Sequence, residues 1–142
     1  MKLQRSLALG VLLASAMVAS ATADEKPKKL TIATWNLEWF FDQYTGDNSA
    51  DLAKRQAAPS RADWDWKLAG VAKVISEIKP DILALQEVEN RRVLFYLNQK
   101  LKSDYNLNYR IAFVEGEDFF TEQDVAIMAL SGLTGFGRKE RT

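Results

Sequence analysis

Two short stretches of this sequence hold the residue types that can do chemistry. In TWNLEW (34–39) an amide, Asn36, stands at the end of an apolar run, and a carboxylate, Glu38, follows two residues on. In LQEVEN (85–90) Glu87 follows the apolar run ILAL after the single residue Gln86. An asparagine at the mouth of a strand can offer its oxygen to a cation and its N–H to a phosphate. A glutamate at the end of a buried strand needs a cation or hydrogen bonds to offset the cost of burying its charge. Each has a plainer structural reading. Asn36 could simply cap the strand end, Glu38 could be a solvated acid, and Glu87 with Glu89 could favour the positive end of the helix that follows. In an unbroken strand Glu38 shares the face of Asn36, whereas Gln86 faces away from Glu87 and reads as a structural hydrogen-bonder.

The chain has no histidine and no cysteine. That removes Ser-His-Asp and Cys-His catalysis, the usual zinc sites, haem, iron–sulfur and thiol chemistry. Carboxylates, amides, lysine, arginine and hydroxyls remain, and hard cations that take oxygen ligands are their natural partners: Mg²⁺, with Mn²⁺ or Ca²⁺ as alternatives.

The elements that must position these residues can be read from the pattern. Residues 30–41 (LTIATWNLEWFF) are β-branched and aromatic and predict a strand with a bulky exit. Residues 42–59 are polar and without period, with a turn cluster at Gly46, Asp47 and Asn48, and predict a loop. Ser60 and Asp63 form a capping box, after which Trp64, Leu68, Val71, Ala72, Ile75 and Ile78 fall on one helical stripe that Pro80 ends. Residues 82–88 (ILALQEV) predict a buried strand. Asn90 caps a second helix whose inner face is Val93, Leu94, Leu97 and Leu101, and residues 103–108 close it. Residues 109–114 and 124–130 predict two more strands, separated by an acidic stretch, and no phosphate-loop or dinucleotide spacing occurs.

The N-terminus reads as an address. Lys2 and Arg5 precede an apolar run over residues 7–18, and Ala21-Thr22-Ala23 is a small-x-small cleavage pattern, so residues 1–23 are expected to be a signal peptide and Asp24 the mature start. The apolar run is shorter than the roughly 20 residues a spanning helix needs. A secreted or periplasmic product without stable membrane insertion is expected. Losing Lys2 and Arg5 turns a balance of 19 basic and 19 acidic residues into 17 against 19, a net −2, which gives no global pull on nucleic acid.

TIATWNLEWF, a capped amphipathic helix, PDILALQEVEN and the later strand QDVAIM, in that order, resemble the opening of the endonuclease/exonuclease/phosphatase family. The resemblance spans about residues 30–130. It implies an α/β fold, a four-layered sandwich of two β-sheets flanked by helices, of which residues 24–142 would form the N-terminal part. It also implies that Asn36 and Glu87 are catalytic and that Glu87, Asn36 and Glu38 bind the metal, Glu38 as a supporting acid. The activity implied is metal-dependent hydrolysis of a phosphate ester, with an exported nuclease as the leading form. A phospholipid headgroup or sugar phosphate stays open as substrate. Members of the family place an Asp-x-Asn pair and a terminal Asp-His pair in the second half of the domain, and none is found here. The chain is therefore expected to be inactive alone. The rival is a non-catalytic binding protein or inactive fragment built on half of the fold.

Overall fold

The computed structural model describes residues 29–137, so the signal peptide expected at residues 1–23 lies outside the described residues. The elements run β1 (Ile32–Phe40), α1 (Asp51–Gln56), α2 (Arg61–Ile78), β2 (Ile82–Val88), α3 (Arg91–Tyr105), β3 (Arg110–Phe113) and β4 (Asp124–Ala129). The four strands form one mixed sheet in the order β1-β2-β4-β3. β1 and β2 are parallel and in register from Ile32 opposite Ile82 to Asn36 opposite Gln86; β4 runs antiparallel to both β2 and β3.

The crossover between the two parallel strands is α2. Ser60 starts it, with its Oγ accepting from the Asp63 N–H at 3.2 Å, and Lys79 ends it in the left-handed region at φ 48°, one residue ahead of Pro80. α3 starts at Asn90, whose side chain accepts from the N–H groups of Arg92 and Val93, and ends at Asn106. Trp64, Leu68, Val71, Ala72 and Ile75 of α2 and Val93, Leu94, Leu97 and Leu101 of α3 pack with Leu83, Leu85 and Met128 of the sheet in one core. Each fully buried leucine contributes roughly 2 kcal/mol by leaving water. Ile78, expected on the stripe, is half exposed at 51%.

Residues 42–59 are not all loop: α1 occupies Asp51–Gln56, with Ala53 buried. Six residues give barely one and a half turns, too few for a helical period to show in the sequence.

Helices and sheet make an α/β fold with one sheet among the described residues. One face of that sheet carries α2 and α3; the other exposes Ile32, Val125 (65%) and Ile127. Thr34 and Gln86 hydrogen-bond to each other on this open face. No helix among the described residues is long and apolar enough to cross a membrane.

Candidate functional site

The site forms where β1 and β2 both lose their regular register. β1 and β2 pair evenly as far as Asn36 and Gln86, and pairing resumes only at Phe40 opposite Val88. Inside that gap Glu38, Trp39 and Glu87 have φ of 52°, 58° and 59°, left-handed values that side chains other than glycine and asparagine seldom adopt. Such conformations cost of order 1–3 kcal/mol each and persist only where surrounding contacts enforce them.

The irregularity re-aims a side chain. Asn36 and Gln86 are register partners and share a face, so in an even strand Glu87 would point to the opposite face. The bulge turns Glu87 back instead, and Asn36 Nδ2 donates to Glu87 Oε1 at 2.7 Å. The second oxygen, Oε2, accepts from the Trp39 N–H at 3.2 Å and from Gln123 Nε2 at 2.9 Å. Asn36 Oδ1 in turn accepts from the Glu38 N–H at 2.9 Å.

The structure thus brings Asn36 and Glu87 into direct contact. It places Glu38 beside them by its backbone, and the left-handed turn breaks the strand alternation on which its shared face with Asn36 was argued. Gln123, at the entrance to β4, was not singled out in the sequence; an isolated polar residue before a strand gives no signal. Lys67 of α2 was missed as well. Its Nζ donates to the Glu38 and Trp39 carbonyls at 2.8 and 2.6 Å. Burial pushes the Lys67 ammonium below its ordinary value, against the opposing pull of Glu38 and Glu87.

A carboxylate oxygen has two lone pairs. Glu87 Oε2 spends both on Trp39 and Gln123, whereas Oε1 and Asn36 Oδ1 each have one protein donor and keep a free lone pair. No group of three or more acidic side chains converges to hold a metal ion among the described residues. One carboxylate with a neighbouring amide oxygen fits Mg²⁺ in its usual manner, held by one or two carboxylates with water and phosphate filling the remaining positions.

Two residues beyond Glu87 lies a second polar cluster, built around a buried carboxylate. Glu89 is 5% exposed; its Oε2 accepts from the Asp42 N–H at 2.9 Å and its Oε1 from Asn48 Nδ2 at 3.0 Å. Burial pushes the Glu89 carboxyl up to about 7, aided by Asp42 and Asp47 and opposed by those two hydrogen bonds. Asn48 Nδ2 also reaches Glu122 Oε2 at 3.2 Å, and Glu122 Oε1 accepts the N–H groups of Ser49 and Ala50. Arg92 is half-buried under Tyr44 and bridges Asp42 and Asp47. Its Nε donates to Asp42 Oδ2 at 3.0 Å, while Nη2, as close, lies out of line for a hydrogen bond. Desolvation alone would lower the Arg92 guanidinium; its hydrogen bonds to Asp42 and Asp47 hold it above its ordinary value.

Comparison of the chain with protein-family models, with curated proteins and with solved structures gives no match.

Proposed function

We propose that this chain is the N-terminal part of a metal-dependent phosphoesterase of the endonuclease/exonuclease/phosphatase type, exported by its signal peptide and acting as a nuclease on phosphodiester bonds. The observation that carries the proposal is the 2.7 Å contact between Asn36 and Glu87. The two residues lie 51 positions apart, in the two motifs on which the resemblance rests, and they meet only because both strands are bulged at the same level. Backbone strain at paired strand ends that orients one carboxylate is characteristic of working sites. The four-layered form of the fold is supported by the open sheet face, where Val125 and Ile127 stand in water unless a second layer covers them.

In this reading Glu87 Oε1 and Asn36 Oδ1 hold Mg²⁺, with Glu38 near enough to add negative charge. Bound there, the ion neutralises charge that develops on phosphoryl oxygens during in-line attack by water. Asn36 keeps Glu87 facing the substrate side, and Gln123 with the Trp39 N–H holds the far carboxylate oxygen away from it. The group that activates water would come from the later acids and histidines that the family resemblance implies.

The test is hydrolysis of plasmid DNA and of a simple phosphodiester by a product of the reading frame long enough to include those later residues. Activity should require Mg²⁺ and disappear with EDTA. Glu87→Gln keeps the shape and removes the anionic ligand, so it should lower turnover by roughly 10²-fold or more while circular dichroism stays the same. Turnover near that of the parent would return Glu87 to a structural place at the head of α3.

A further inference from the structure

Lys67 belongs to the core-facing side of α2, between Trp64, Leu68 and Val71, yet its ammonium is spent on two backbone carbonyls of another element. Those carbonyls are of Glu38 and Trp39, the two left-handed residues of β1. In a regular strand successive carbonyls point to opposite sides and are taken by neighbouring strands. Within the bulge both turn toward α2, where Lys67 meets them with two of its three donors. The Trp39 carbonyl also accepts from the Phe41 N–H at 2.8 Å.

The consequence follows from the planarity of the peptide. The Glu38 C=O and the Trp39 N–H belong to one planar trans peptide and point in opposite directions. The oxygen of that plane is held at 2.8 Å by Lys67, and its hydrogen is delivered to Glu87 Oε2 at 3.2 Å. Fixing one end of the plane fixes the other. Without Lys67 the Glu38 carbonyl would turn to water and the Trp39 carbonyl would keep only the Phe41 N–H, so the plane could rotate and the strain at Glu38 and Trp39 would lose the contact that holds it in place.

We propose that Lys67 is a positioning residue for Glu87: by clamping the Glu38–Trp39 peptide plane it occupies one carboxylate oxygen and leaves the other aimed at a divalent cation. The second half of this statement rests on Glu87 as a cation ligand, as proposed above; the first half stands on the backbone geometry alone.

The experiment uses the full chain as parent, Lys67→Met and Lys67→Arg, with two readouts. One is hydrogen exchange of the Trp39 amide, referenced to the Leu85 amide in the central strand. The other is an Mg²⁺ titration followed on the Asn36 side-chain amide by NMR. Lys67→Met should speed Trp39 exchange at least about tenfold relative to Leu85 and weaken Mg²⁺ binding about 10- to 100-fold, the scale of a lost supporting contact. Lys67→Arg, which can also donate to two carbonyls, should restore most of both. A folded Lys67→Met chain with parental Trp39 exchange and parental Mg²⁺ affinity overturns the proposal. If Lys67→Met does not fold, the parent decides. Slowly exchanging Lys67 ammonium protons coupled to the Glu38 carbonyl carbon support the clamp, and freely exchanging protons overturn it. Faster Trp39 exchange in Lys67→Met with no Mg²⁺ response in any chain leaves the clamp standing and sinks the metal reading instead.

Discussion

Glu87 and Glu89 leave the same strand two positions apart and carry the same side chain, yet they sit in opposite environments. Glu87 is half-buried at the lip of the sheet, with three donors on its carboxylate and one lone pair still free. Glu89 is closed to solvent and ties the segment that follows β1 to the head of α3 through Asp42 and Asn48. The strain also divides unevenly. Glu38, Trp39 and Glu87 are left-handed, whereas around Glu89 only Glu122 is, and its neighbours are held by side-chain hydrogen bonds to backbone N–H groups. The first arrangement keeps a carboxylate oxygen available. The second uses its oxygens to order loops that carry few apolar contacts of their own. A strained backbone with an acceptor that faces solvent suits binding, and a carboxylate buried among loop hydrogen bonds suits support.

The same substitution at both positions tests that division most strongly. Glu87→Gln should weaken Mg²⁺ binding, read on the Asn36 amide, by at least about tenfold, the loss expected when the only anionic ligand becomes neutral. Glu89→Gln should change it less than about twofold. Equal losses at both positions would mean that the two carboxylates work as one site, and the comparison would break.

Much of this frame is legible in the sequence, and the limits of that legibility are physical. Ser60, Asn90 and the stripes Trp64–Ile75 and Val93–Leu101 announce two helices, because caps and apolar period are local properties. Asn36 and Glu87 stand out because each closes an apolar run. That they touch was not legible from period two alone, since an even strand would have sent Glu87 to the other face; the bulge is a property of both strands together. Lys67 was hidden for a related reason: its partners are backbone carbonyls, which have no letter in a sequence. Glu89 reads as an acid at the positive end of a helix, and only the loop folded over it shows that it is buried. The six-residue α1 was too short to leave a period.

The next effect is in stability and has a definite sign. The Glu89 carboxyl is raised from an ordinary 4.5 to about 7, so between those values the folded chain binds more protons than the unfolded one. Its contribution is fully present below about pH 4.5 and is lost as pH rises through about 7. At about 1.4 kcal/mol per unit the full loss is at most about 3.5 kcal/mol. Urea midpoints of parent and Glu89→Gln, measured at pH 5 and pH 8, should show the parent losing more stability than the variant. Identical pH dependence would place the Glu89 carboxylate in contact with water and contradict its burial.

The smallest effects come from removing one amide in each region, and their ratio is the sharpest statement of the comparison. Asn48→Ala takes a donor away from Glu89 and from Glu122 inside a buried network, so it should cost about 1–3 kcal/mol, the penalty for leaving a buried acceptor unpaired. Gln123→Ala takes one donor from Glu87 Oε2, which still has the Trp39 N–H and lies where water can replace the lost bond. It should cost about 0.5 kcal/mol or less. Both can be read as shifts in urea midpoint at fixed slope, so that a change in the unfolded state is not mistaken for a lost contact. If Gln123→Ala proves as costly as Asn48→Ala, then Oε2 of Glu87 is sealed from solvent. The lip would then be a buried network like its neighbour, and the free lone pair on Oε1 would no longer argue for a cation.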